Sequence, residues 1–157
     1  MDANIYQHID GSAFRFGIVR ARFNEKITQG MLDRCVETLK AAGVQEKNIA
    51  VVEVPGSIET TYALDALARS GRYDALIALG AIIKGATPHF DYISKSVSDG
   101  IREVTLAHHL PVVAGVITCL TAEQAVERSC AGALNRGLEA AHVALEMARM
   151  RSQQGWK

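Results

Sequence analysis

The chain has 157 residues, of which 48% are apolar, and its 17 basic and 17 acidic side chains leave no net charge. That length suits one domain with a full core, and a neutral chain offers no bulk attraction to nucleic-acid phosphates or anionic lipid surfaces. No apolar run approaches the roughly 20 residues of a membrane helix, and Met1 to Ile5 lacks the basic-then-apolar layout of a secretion signal.

Residues 1–13 fit no element of the pattern that follows and read as an arm. Residues 14–19, Phe-Arg-Phe-Gly-Ile-Val, are strand-like. Ile27, Met31, Cys35 and Leu39 then recur every four residues, which predicts an amphipathic helix over 27–42 stopped by Gly43. A strand over 49–54 ends at Pro55-Gly56, and a helix over 58–69 follows, with Ser57 as N-cap and Gly71 as its stop. Ala75 to Leu79 is a short buried strand running into a glycine-rich turn. Phe90, Ile93, Val97, Ile101 and Val104 share one face of a helix over about 90–109. A fourth strand covers 112–118. Thr121-Ala122-Glu123-Gln124 has the capping-box pattern and opens a helix towards Met150, broken or bent at Gly132, where glycine costs about 1 kcal/mol against alanine. Residues 151–157 read as a polar tail with a surface tryptophan, so the folded domain is expected over 14–150.

Strands alternating with helices imply right-handed crossovers and a parallel sheet covered on both faces. The expected fold is a three-layer α/β/α sandwich with a four-stranded parallel sheet, flavodoxin-like. The turns after the first three strands, at 21–24, 55–59 and 83–89, then lie on one carboxyl edge and converge on one pocket. Their chemistry is complementary. Phe23 follows its strand in a polar Arg-Phe-Asn setting, which favours a stacking surface over burial. Ser57 and Glu59 offer a backbone turn with a carboxylate. Gly85-Ala86-Thr87 exposes N–H groups beside His89, a residue suited to proton transfer near neutral pH.

Other patterns are weaker. The Gly80-to-Gly85 spacing departs from a Walker loop, because Lys84 precedes the second glycine. No G-x-G-x-x-G, G-x-S-x-G or H-E-x-x-H occurs, and His89-Phe90-Asp91 alone is too thin for a metal site. His8, His108, His109 and His142 read as structural. Cys35, Cys119 and Cys130 lack C-x-x-C spacing and read as ordinary thiols of a reducing, cytoplasmic compartment.

Four segments together carry a family resemblance: Arg22-Phe23-Asn24, Val54-Pro55-Gly56-Ser57-Ile58-Glu59, the run from Gly80 to Tyr92 (GAIIKGATPHFDY), and Gly115 to Thr118 with Glu123 to Arg128. In this order and spacing, over about 14–150, the chain resembles the lumazine synthases. The resemblance implies condensation of 5-amino-6-(D-ribitylamino)uracil with 3,4-dihydroxy-2-butanone 4-phosphate to 6,7-dimethyl-8-ribityllumazine, the penultimate step of riboflavin biosynthesis, without metal or organic cofactor. It implies that Phe23 stacks on the pyrimidine and that Ser57, Ile58 and Glu59 hold the ribityl chain and ring edge. It further implies that Ala81, Ile82 and Ile83 meet the ring through backbone groups, that Ala86, Thr87 and Arg128 take the phosphate, and that His89 shuttles protons. By the same resemblance, Arg136 and Glu139 are expected to line the ribityl end. Family members form pentamers with a pocket between subunits, and some build shells of twelve pentamers; the amino-terminal arm adds a strand to a neighbour's sheet. Arg128 is compatible with a role in its own subunit or across the interface.

The chain also departs from that pattern. Ala114 stands where an aromatic residue commonly covers the bound ring, Gly132 stands where lysine is usual, and Lys84 replaces arginine. These differences keep a second reading open, a weakly active or non-catalytic paralogue that binds flavin or lumazine.

Overall fold

The computed structural model describes residues 8–130 and 132–156. Four strands, β1 (Phe16–Ala21), β2 (Ile49–Val54), β3 (Ala75–Ile83) and β4 (Val112–Cys119), alternate with α1 (Glu25–Ala41), α2 (Thr60–Arg69) and α3 (His89–His108), and two helices follow, α4 (Ala122–Glu127) and α5 (Arg136–Gln154). All neighbouring strands are parallel, in the order β2-β1-β3-β4. The three-layer α/β sandwich expected from the alternation is therefore the observed architecture.

Alternate residues of the central strands feed two cores, as the two-residue period of a strand requires. Phe16, Ile18, Ile77 and Leu79 pack with Met31, Cys35 and Leu39 of α1 and Ala141, Ala144 and Leu145 of α5. Val19, Leu76, Ala78 and Ile82 pack on the other face with Leu64 of α2 and Val97, Ile101 and Val104 of α3. Truncating a fully buried leucine such as Leu64 or Leu145 to alanine costs about 2–5 kcal/mol in cores of this kind. The α1–α5 pair is unusually close. A Cβ on Gly137 would stand 1.8 Å from the Met31 carbonyl oxygen, so only glycine lets α5 begin where it does.

Arg20 breaks the apolar run of β1 and is only 2% exposed. Its guanidinium pairs with Glu53 and lies 3.9 Å from Glu25, the kind of partner that a buried ionic side chain requires.

Several boundaries differ from the sequence reading. Strand β1 begins at Phe16 and runs to Ala21, α1 starts two residues early at Glu25, and the Ser57 side chain does not cap α2, whose N-cap is Glu59. Strand β3 does not stop before Gly80 but continues to Ile83, so the first residues of the supposed turn belong to the sheet. The long last helix is two helices separated by residues 128–135, and α5 runs through Gln154 into the supposed tail. Within the expected arm, residues 1–7 lie outside the described residues. The remainder packs on its own chain: Ile9 is buried in the α1–α5 core, and the Gly11 N–H donates to Ala42 O at 2.7 Å.

Candidate active site

The sheet order makes β1 and β3 the point where the chain reverses direction across the sheet, and ligands of such folds bind outside the carboxyl ends of the strands there. A cleft of about 410 Å³ occupies that place, lined by Phe23, Asn24, Gly56 to Glu59, Ala81 to Ile83, Gly85, Thr87, His89, Phe90 and Ile93. Three turns far apart in sequence do converge.

Each wall has a local cause. After β1 the chain is pinned by hydrogen bonds from Arg22 N to Val54 O (2.8 Å) and from Phe23 N to Pro55 O (3.0 Å). Asn24 then takes the left-handed conformation (φ 58°, ψ 48°), which asparagine tolerates better than most side chains. Its Nδ2 donates to Ala81 O at 2.9 Å and ties the β1 turn to β3. Phe23, held between these anchors, leaves 71% of its surface open.

After β2, the Ser57 carbonyl accepts from both the N–H and the hydroxyl of Thr60, which folds Ser57 inward. Its Oγ lies over Gly80, where a Cβ would stand 2.6 Å from it. That contact explains a glycine inside a central strand. Ile58 and Glu59 remain exposed at the rim.

After β3, Lys84 N donates to Cys119 O at 2.8 Å and the chain leaves the sheet. Among the described residues, the N–H groups of Gly85, Ala86 and Thr87 donate to no carbonyl or side chain, and they precede the N-terminus of α3. Unpaired N–H groups at the positive end of a 20-residue helix form a natural anion cradle. His89 is the first residue of α3, exposed beside that loop.

Ala114, Arg128, Arg136 and Glu139 are not in this cleft. They line a second depression, about 690 Å³, which follows β4 from Pro111 to Thr118 and is bounded by Thr105 of α3 and by Ala140, Val143 and Met147 of α5. The two depressions share no lining residue. These four residues lie apart from the cleft because β4 is an edge strand and its outer side faces away from the β1–β3 switch point. In the groove, Arg128 Nη1 donates to Gln124 O at 3.2 Å and Arg136 pairs with Glu139. Burial raises the pKa of the nearby Cys119 thiol, and the Arg128 and Arg136 charges partly oppose the rise. Ala86 is exposed and is not among the residues lining the cleft.

Asn24 and Gly56, read from sequence only as parts of their turns, complete the cleft together with Phe90 and Ile93. Asn24 had a usable signal: an asparagine between a strand and the first turn of a helix is a ready left-handed residue. Phe90 and Ile93 were read as core positions of their helix, and they are half-buried, facing both core and cleft. No three or more His, Cys, Asp or Glu side chains gather in a metal-holding group among the described residues. No helix among them is long and apolar enough to cross a membrane.

Fold and cleft together fit the class of α/β enzymes that act on small molecules, since an exposed phenylalanine, unpaired N–H groups at a helix start and a histidine meet at one sheet edge. The comparison with known families gives the particular group. The 6,7-dimethyl-8-ribityllumazine synthase family model matches residues 13–152, and the chain belongs to that family. The 6,7-dimethyl-8-ribityllumazine synthase of Desulfatibacillum aliphaticivorans is 45% identical over 139 residues, 88% of this chain and 90% of that protein.

Proposed function

We propose that the protein condenses 5-amino-6-(D-ribitylamino)uracil with 3,4-dihydroxy-2-butanone 4-phosphate to 6,7-dimethyl-8-ribityllumazine, in riboflavin biosynthesis. The observation that carries this reading is the meeting of Phe23, Ser57 to Glu59, Gly85 and Thr87 with their unpaired N–H groups, and His89 in one cleft of a chain from this family. The pyrimidine lies on the Phe23 ring with its edge against the backbone of Ala81 to Ile83. The ribityl chain runs along Ser57, Ile58 and Glu59. The phosphate sits on the N–H groups of Ala86 and Thr87. An amine held against the ketone in this way reacts as within one molecule, which supplies up to about 7–11 kcal/mol of barrier reduction. His89 moves protons as the amine adds, water leaves and phosphate departs, a contribution of about 10²–10⁴-fold.

The complete site takes a second copy. Arg128, Ala114, Arg136 and Glu139, set apart on the β4 groove, come to the cleft of an adjacent subunit, and Arg128 adds a fixed charge to the phosphate cradle. Among the described residues the outer edge of β4 is unpaired in the sheet, the kind of edge that accepts a strand from another chain, and the amino-terminal arm of a neighbour supplies it. The assembly is a homopentamer or a shell built from pentamers, working in the reducing cytoplasm.

The test follows lumazine absorbance and fluorescence after mixing purified protein with both substrates. Product formation above the uncatalysed background, lowered in His89→Ala and Arg128→Ala, supports the assignment. A folded, assembled protein that gives no acceleration refutes it.

A further inference from the structure

Asn135 is 1% exposed, a buried amide in the segment that joins α4 to α5. Its Nδ2 donates to the carbonyls of Ser129 (2.8 Å), Cys130 (2.9 Å) and Gly30 (3.3 Å). Its Oδ1 accepts from the N–H groups of Gly137 (2.8 Å) and Leu138 (3.3 Å). One end of the side chain therefore caps α5, and the other is a clasp on the loop that follows Arg128. The two jobs are separable, because capping needs only an oxygen and aspartate caps as well as asparagine.

The clasp leads directly to Arg128. Ser129 is the next residue, and the Arg136 N–H donates to Arg128 O at 2.8 Å, so both ends of the loop are joined beside the clasp. On its far side the loop rests against α1, where a Cβ on Gly30 would stand 2.6 Å from Ser129 O. The Arg128 guanidinium donates to Gln124 O, within the same short helix, a bond that does not anchor that helix to the rest of the chain. Asn135 itself is not among the residues lining the β4 groove.

We infer that Asn135 is a positioning residue for the reaction: by clasping the Ser129 and Cys130 carbonyls it holds the loop so that Arg128 reaches the substrate phosphate. This rests on the reading of Arg128 as a phosphate ligand given above. A displacement of about 1 Å in a positioning group can cost on the order of 10²-fold in rate, so a loop of this kind needs a fixed anchor.

Asn135→Asp separates the two jobs. It keeps the capping oxygen and turns the donor end into a carboxylate facing three carbonyls. The expected result is a rise of roughly tenfold or more, the scale of one weakened hydrogen bond to a charged group, in both the KM for the butanone phosphate and the inhibition constant of inorganic phosphate. The KM for the ribitylaminouracil stays unchanged. In the Arg128→Ala background, Asn135→Asp adds no further rise, as expected for a residue that acts through Arg128. Gly30→Ala presses on Ser129 from α1 while leaving the Asn135 side chain itself unaltered and has the same selective effect, so it carries the test should Asn135→Asp fail to fold. The inference is overturned if both KM values rise together, if only the active fraction falls, or if the effects of Asn135→Asp and Arg128→Ala add. Arg128→Ala that leaves phosphate inhibition untouched refutes instead the phosphate role of Arg128.

Discussion

Replacing Phe23 with alanine separates binding from folding more cleanly than any other change in the cleft. A phenylalanine offers about 150–250 Å² to its surroundings, and 71% of this one is open. A planar ring laid on one face covers about half of that open surface, roughly 55–90 Å², worth about 1.4–2.2 kcal/mol at 25 cal/mol/Å². Aromatic stacking adds about 0.5–1.5 kcal/mol. The total, about 2–3.5 kcal/mol, corresponds to roughly 30- to 300-fold in affinity. Because the ring contacts the substrate before and during reaction alike, the loss falls on the pyrimidine KM, with kcat little changed. Folding is nearly indifferent, since an exposed side chain away from the core changes stability by about 0.5 kcal/mol or less. The assay is steady-state kinetics with the ribitylaminouracil varied at saturating butanone phosphate, beside a thermal melt. An unchanged pyrimidine KM, or a melting temperature lowered by many degrees, would refute the stacking assignment and make Phe23 a packing residue.

Three further outcomes are expected. His89→Ala lowers kcat by about 10²–10⁴-fold and leaves measurable turnover, because orientation of the two substrates survives; a folded variant with no activity at all contradicts that division of labour. Co-assembling His89→Ala with Arg128→Ala subunits restores part of the activity that each variant lacks alone, since some sites then pair an intact cleft with an intact groove; no recovery in verified mixed assemblies argues for sites contained in single chains. Burial, aided by the Arg34 charge, lowers the pKa of His142 from its ordinary 6.5. The unfolded chain therefore takes up this proton first, so stability is full above about pH 6.5 and is lost as the pH falls below it. Urea midpoints from pH 7.5 to 5.5 are expected to fall less steeply for His142→Gln than for the parent, and parallel slopes sink the assignment.

What could be read from sequence follows from where a side chain meets its cause. Strand β2 was legible to the residue, 49–54, because Pro55-Gly56 ends it chemically. Strand β3 was cut short because it is buried on both faces, where alternation gives no signal, and because Gly80 looks like a stop. Its true role, making room for the Ser57 hydroxyl, depends on a contact 23 positions away in the chain. Helix α5 outran its apolar pattern for a related reason. Polar residues do not end a helix; Gly155, at φ 66°, does. The cleft was legible for the same reason as β2: Phe23, Ser57, Glu59, Thr87 and His89 each stand just past a strand, and parallel strands share one carboxyl edge. Arg128 and Ala114 obey no such rule. Their side of the sheet depends on β4 being an edge, and strand order is a property of packing that no local pattern encodes. The proposal that these two groups meet only between subunits thus has a physical origin. A doubly wound sheet of four strands puts its switch point near the middle and its last strand at the rim, so residues at both places converge when one copy sets its rim against the middle of the next.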